Sequence, residues 1–360
     1  MTNKARIAVI GTGWWATDFH LPGLKANPDA EITAMCDTDP LRLSKAAAAY
    51  PDGRTYSDYR EMLAHEDLDA AIIVTPHATH YTIARDCLER GLHLLIEKPM
   101  TLFAGDAREL VNLAAAQGKE LMVGYPYLYS PLAQRAHVVV SSGELGPIHY
   151  VINSFTSDMT HFLGGNVSSE NPPITHYKVH GPSDAYNRPE QMGGGQGHLQ
   201  LTHGLGLMFY VTGLRAQVVN ARMSNHGRKM DMADALTVEF DNGALGIIGS
   251  SGEARVGAGV MLKVLCESGA CNFDSALQAA VLQRKDGESE DLSKLGRWGG
   301  RYSVTDNFVQ VVLGRAANGS TGENGLRVVE VLDAAYRSAQ QDGRAVRIEE
   351  LYRQTGASAS

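Results

Sequence analysis

The sequence predicts an α/β chain in two parts: a doubly wound parallel sheet over residues 1–124, then an α+β part over 125–360 built on a large, mostly antiparallel open sheet. Three observations predict it. Short apolar runs alternate with helical stretches up to residue 124, the pattern of a parallel sheet covered on both faces. The first of these runs ends in a glycine turn that leads straight into a helix. Beyond residue 142 the apolar runs are separated by turn residues instead of helices, as in an antiparallel sheet.

Residues 5–10 form the first strand and enter Gly11-Thr12-Gly13-Trp14-Trp15-Ala16, after which residues 18–25 continue as a helix kinked at Pro22. In the spacing G-x-G-x-x-A, Gly11 makes the tight turn, Gly13 lets a diphosphate approach the backbone, and Ala16 packs helix on strand. Phosphate oxygens then meet the free N–H groups of the helix start. Thr12, Trp14 and Trp15 share that loop and are candidate contacts for the same ligand. A plain tight turn has the same glycines, so the next strand carries the argument. Residues 31–36 are apolar and end in Asp37, 21 residues after Ala16, where a carboxylate reaches ribose hydroxyls. Asp37 next to Thr38 repels a 2′-phosphate and favours NAD; Arg42 keeps NADP as the less favoured alternative.

A third strand at 70–74 precedes Thr75-Pro76-His77-Ala78-Thr79-His80, a helix at 81–90 returns to a strand at 92–96, and a last strand at 121–123 closes the region. Glu97-Lys98-Pro99 follows the strand at 92–96. Lys98 therefore emerges at a carboxyl end of the sheet, where parallel sheets place ligands. Its long stem and ammonium can reach a hydroxyl, and a crowded pocket lowers its pKa; a surface ion pair with Glu97 is the plain alternative.

In the second part a helix at 131–142 precedes strands at 149–155, 217–223, 235–240, 245–250 and 260–266, with Asp241-Asn242-Gly243 as a hairpin turn. Helices at 304–317 and 323–341 close the chain as packing elements. The stretch 161–192 is rich in Gly, Pro, Asn and His, a length of loop that is functional or disordered. His176 and His180 are four apart, but the neighbouring prolines and glycines disfavour a helix and no H-E-x-x-H pattern occurs, so no metal is expected. The following segment, 198–211, reads as a helix buried on most sides, and Gln200 and His203 share one face of it. A histidine so placed is a candidate to deprotonate an alcohol.

The composition bounds the partners. The net charge is −8, with no sustained Lys/Arg run, which disfavours nucleic acid and anionic membranes and points to small molecules. No apolar window is long enough to span a bilayer, no signal-peptide core follows Met1, and a cytoplasmic protein is expected. Cys36, Cys87, Cys266 and Cys271 form no C-x-x-C pair and read as reduced packing residues.

Taken together, the glycine loop, Asp37, the T-P-H-A-T-H segment with His80, Glu97-Lys98-Pro99, the Gly193-Gly194-Gly195 run before the His203 helix and the antiparallel second part resemble the glucose-fructose oxidoreductase and inositol dehydrogenase family, Gfo/Idh/MocA, from end to end. The resemblance implies an NAD-binding Rossmann domain at 1–124, a substrate and oligomerisation domain at 125–360, and a site in the cleft between them. It implies Lys98 and His203 as the catalytic pair, with Thr75, Pro76, His80 and Glu97 beside the cofactor. Tyr125, Tyr127, Asn153, His161, His176, Tyr177, His180 and Gln200 are the candidate substrate contacts, since aromatic faces and neutral polar groups suit a polyol. Leu199 departs from the aspartate many relatives carry, and the segment at 125–129 lacks their arginine, which together imply an altered substrate. The expected activity is reversible NAD-dependent oxidation of a secondary hydroxyl on a sugar, glycoside or cyclitol. The alternatives are a glycoside-cleaving enzyme that recycles a tightly bound NAD, and a non-catalytic NAD-sensing regulator. A homo-oligomer, dimer or tetramer, is expected by fold analogy.

Overall fold

The computed structural model describes residues 4–163, 179, 181, 183–277, 279–296 and 303–353. His176, Tyr177 and His180 lie outside the described residues.

The first sheet has six parallel strands in the order β3-β2-β1-β4-β5-β6, formed by β1 (Ala5–Ile10), β2 (Ala30–Cys36), β3 (Arg54–Tyr56), β4 (Ala70–Ile73), β5 (His93–Ile96) and β6 (Leu121–Val123). The chain doubles back between β1 and β4, so their carboxyl ends open a crevice at Gly11 and Val74. β1, β4 and β5 are buried almost throughout, as their unbroken apolar runs require for a sheet covered on both faces. One cover comes from the far end of the chain: in the helix Ser303–Val312, Val304, Phe308, Val309 and Val311 join Ile7, Val9, Leu21 and Ile72 in a single core.

The second sheet has nine strands in the order β14-β13-β12-β11-β7-β10-β9-β8-β15. They are β7 (Ile148–Thr156), β8 (Ala216–Ser224), β9 (Ala233–Phe240), β10 (Leu245–Ser251), β11 (Gly259–Cys266), β12 (Gly269–Asp274), β13 (Ala279–Arg284), β14 (Ser289–Asp291) and β15 (Val346–Arg347). Every pairing is antiparallel except β7 with β10. In β9 the buried Asp234, Leu236, Val238 and Phe240 alternate with exposed neighbours, so one face packs and the other meets solvent.

On the packed face lies the helix Thr202–Thr212, buried on nearly every side, with the long helix Gly322–Gln340 beside it. Its glycines allow close approach: a Cβ on Gly204 would sit 2.6 Å from Asn153 Oδ1, and one on Gly206 3.0 Å from the Tyr125 ring. Just before this helix comes a π-helical turn, Gly197–Leu201, so residues 197–212 form one continuous helical rod. No described helix is long and apolar enough to cross a membrane.

Candidate active site

A cavity of about 1240 Å³ separates the two sheets' elements and takes side chains from both. Gly11, Gly13, Trp14, Trp15, Asp37, Arg42, Thr75, Pro76, His77, Glu97 and Lys98 line it from the first part; Tyr127, Met159, Phe162, Tyr186, Met192, Leu199, Gln200 and His203 line it from the second.

The glycine loop fits a dinucleotide. Gly11 turns with φ +90°, and a Cβ there would lie 2.6 Å from the Val74 carbonyl oxygen, so no other residue fits. A Cβ on Gly13 would meet nothing within 4 Å, which leaves the backbone open towards the cavity. The helical segment begins after Gly13, and its first N–H groups have no intrahelical carbonyl to meet, so they suit phosphate oxygens. Asp37 closes the loop from the end of β2: its Oδ2 accepts the Thr12 N–H at 2.8 Å and the Thr12 hydroxyl at 3.1 Å. Its Oδ1 accepts the Asp39 N–H at 2.9 Å and Arg42 Nη2 at 3.3 Å. These four bonds match the roughly four lone-pair sites of a carboxylate, so a ribose hydroxyl would share or displace one of the longer ones, such as the 3.3 Å contact to Arg42.

Glu97 follows β5 and is buried. Its Oε1 accepts His20 Nε2–H at 2.8 Å and Trp15 Nε1–H at 2.9 Å, and its Oε2 accepts the Lys98 N–H at 3.2 Å. Gly124 makes room for it, since a Cβ there would lie 2.6 Å from Oε1. Burial pushes the Glu97 carboxyl up, but His20, the Lys98 charge and Trp15 outweigh it and leave the pKa below the ordinary value. Lys98 therefore does not form the surface ion pair its neighbour permits. Its Nζ instead crosses the cleft and donates to the Leu199 carbonyl at 2.8 Å. Burial lowers the Lys98 pKa, partly offset by the Glu97 charge.

His203 sits on the cavity wall among Tyr127, Phe155 and Tyr125, with ring centroids 5.7, 5.8 and 6.3 Å away. Its Nδ1 is enclosed with no hydrogen-bond partner among the described residues. Burial, and then the Lys98 charge, hold its pKa well below the ordinary value, so the ring is neutral near pH 7. The site thus brings an amine of lowered pKa and a neutral imidazole to one cavity.

Five predicted contacts are placed elsewhere. Thr12 is fully buried and braces Asp37 instead of facing the cavity. His80 is fully buried, with its ring nitrogens 2.9 Å from the Pro99 carbonyl and 2.8 Å from the Thr75 carbonyl, so it fixes the two loops that do line the cavity. The Tyr125 hydroxyl is spent on Thr202 Oγ1 at 3.1 Å, and Asn153 donates to the Gly204 carbonyl at 2.9 Å. Both position the His203 rod. His161 is exposed on the short helix Thr160–Leu163, while its neighbour Phe162 faces the cavity.

The structure also adds residues. Asp231 accepts the Gly195 N–H at 2.7 Å, the Gly197 N–H at 2.8 Å and the Tyr336 hydroxyl at 2.9 Å, anchoring the start of the rod. The glycine run exists for this packing: a Cβ on Gly194 would lie 2.1 Å from the Tyr336 oxygen, and one on Gly195 2.2 Å from the Asp231 carbonyl oxygen. The residue pairs involved are 34 to 105 apart in sequence, so no local pattern announces them.

Two family descriptions match the chain: an oxidoreductase family with an NAD-binding Rossmann fold over residues 5–125, and the GFO/IDH/MocA C-terminal domain over residues 133–272. A 1-carboxy-3-chloro-3,4-dihydroxycyclohexa-1,5-diene dehydrogenase of Comamonas testosteroni is 27% identical over 252 residues, 69% of this chain and 58% of that protein. An NADP(+) D-xylose 1-dehydrogenase of Haloarcula marismortui is 29% identical over 157 residues, 43% of this chain and 44% of that protein. The matches thus span less than two thirds of these relatives' lengths. Among solved structures, the WlbA dehydrogenase from Bordetella pertussis, in complex with NADH and UDP-GlcNAcA, has the same fold, with a TM-score of 0.77 at 21% identity over 96% of this chain and 98% of that one. By both halves of its sequence, the chain belongs to the GFO/IDH/MocA oxidoreductase family.

Proposed function

We propose that the protein is an NAD-dependent oxidoreductase that reversibly oxidises a secondary hydroxyl of a sugar, glycoside or cyclitol to a ketone. One observation carries this reading: Lys98 from the first part and His203 from the second line one cavity, beside a loop that fits a dinucleotide. A bound nicotinamide would supply the acceptor for the two electrons that leave the carbinol carbon. Gly11, Gly13, the helix start and Asp37 would hold that cofactor, and Thr75 and Pro76 would flank it. His203, neutral near pH 7, takes the hydroxyl proton. Lys98, protonated and aimed across the cleft, stabilises the developing alkoxide. Tyr127 and Gln200 line the same cavity as candidate substrate contacts. The relatives named as dehydrogenases of a dihydroxycyclohexadiene and of D-xylose support a hydroxylated ring as substrate.

Asp37 supports NAD over NADP, because its charge faces the position of a 2′-phosphate and Arg42 is already paired to it at 3.3 Å. The domain division at 124 assigns cofactor binding to the first part and substrate binding to the second. Leu245 and Ile247, each about half exposed on the open face of the second sheet, support self-association through that face; a monomer by light scattering at micromolar concentration would contradict it. The activity is tested by a screen of sugars, glycosides and inositols against NAD and NADP, following the absorbance of reduced nicotinamide. Turnover with stoichiometric release of reduced cofactor supports the reading and argues against recycling in place; a silent screen across all three classes contradicts it.

A further inference from the structure

The wall beside Lys98 is apolar. Leu199, whose carbonyl holds Lys98 Nζ, buries its side chain among Met159, Phe162 and Met192, with Trp14 and Tyr186 packed against them. All six line the cavity that also takes Lys98 and His203. The rings form one cluster: Trp14 and Phe162 centroids are 6.2 Å apart, Trp14 and Tyr186 6.4 Å, and Phe162 and Tyr186 5.4 Å. Two polar contacts run through it. Trp14 Nε1–H donates to the Tyr186 hydroxyl at 2.9 Å, and Gln200 Nε2–H points to Met159 Sδ at 3.2 Å. Arg188 and Asp184, paired with each other, line the same cavity.

Against the side chains of Met159, Phe162, Met192 and Leu199, which carry no N–H or O–H group, a polyol hydroxyl gives up its bonds to water and receives no comparable one in return. A flat apolar group loses nothing there, gains ring contacts and meets methionine side chains that adapt to its shape. Asp37 and Arg42 mark the ribose end of the cavity, so this wall belongs to the substrate end, next to Lys98. We propose that the substrate is a hydroxylated ring carrying an aryl or similarly apolar group, and that this group lies against Trp14, Met159, Phe162, Tyr186, Met192 and Leu199. The inference rests on the dehydrogenase reading and narrows its substrate class.

The test is calorimetric titration of the full-length protein, saturated with NADH, with matched methyl and phenyl β-glycosides of glucose, galactose and xylose. The phenyl member of at least one pair binds at least about tenfold more tightly, and Phe162→Ala narrows that ratio, with Tyr186→Ala as the second variant if the first loses its fold. Equal affinities, a methyl preference, an undiminished ratio in a folded variant, or no binding by any phenyl glycoside overturns the inference. Turnover of the same pairs with NAD separates the two claims. A phenyl preference in binding without turnover sustains this inference and counts against the dehydrogenase reading. Equal kcat/KM for both members sustains the dehydrogenase reading and overturns this inference.

Discussion

Lys98 Nζ donates to the main-chain carbonyl of Leu199, 2.8 Å across the cleft, so the lysine is held by a neutral dipole instead of a carboxylate. That choice leaves burial as the main influence on its pKa, which is lowered from the ordinary 10.5. The alkaline limb of kcat/KM for alcohol oxidation is therefore expected below 10.5, because activity needs the protonated lysine and falls as it loses its proton. Glu97→Gln removes the charge that partly offsets burial, disfavours the charged lysine further and moves that limb to lower pH. A pH–rate profile of the two proteins checks it; an unmoved limb would show that another group sets it.

The acid limb belongs to His203. As the base it must be neutral, so activity rises with pH through its pKa, which burial and Lys98 hold well below 6.5. The profile should be flat from pH 6.5 up to the lysine limb. Relieving the charge with Lys98→Met raises the histidine pKa, a shift that NMR titration of the imidazole reads even in an inactive variant. A His203 pKa in the wild type at or above 6.5 would contradict the assignment.

Asp37 sets cofactor preference. Asp37→Ser removes the charge facing the 2′ position and frees Arg42 from its 3.3 Å pairing. The NAD-over-NADP ratio of kcat/KM should fall by about tenfold or more, while the loop loosens because Thr12 loses both its bonds to Oδ2. An unchanged ratio would place the 2′ position elsewhere.

Beneath the His203 rod lies a carboxyl pair, Asp231 with Asp234. Asp231→Ala strands the Gly195 and Gly197 N–H groups and the Tyr336 hydroxyl. A loss of about 3 kcal/mol or more is expected by urea denaturation. Asp234 behaves oppositely. Burial, and then the Asp231 charge, raise its pKa well above 3.8, and it also accepts the Ser250 hydroxyl. The native state keeps a proton that the unfolded chain releases above 3.8. Stability from this group is full below that pH and is lost as pH rises through the folded pKa. Asp234→Asn keeps a donor towards Asp231 and removes the penalty, so the variant gains on the wild type as pH rises; a parallel decline in both proteins would contradict this.

The two-sheet plan was legible because it depends on local signals: buried apolar runs, alternation, and the glycine and Asp-Asn-Gly turns. β3 is short and largely exposed, β14 is a polar edge strand of three residues and β15 an edge strand of only two, so periodicity could not announce them. Lys98 and His203 stood out by their place after a strand and a glycine run, and both line the same cavity. Tyr125 and Asn153 look like substrate contacts in sequence, yet their polar atoms are used to seat a helix, a fact visible only through contacts 77 and 51 residues away. His20 and Asp231 were missed for the same reason: each acts on a partner distant in the chain. The apolar wall around Leu199 likewise joins Trp14 to residues near 160, 186 and 192, which the sequence leaves apart.

In the proposed reaction, Lys98 and His203 do chemistry on an alcohol beside a bound dinucleotide. This role is tested most directly by turnover and NADH titration of Lys98→Ala and His203→Ala on a substrate found in the screen. Each variant is expected to bind NADH within about threefold of the wild type and to lose about 10²–10⁴ of kcat. Retention of wild-type kcat in either variant, with the fold intact, would contradict it.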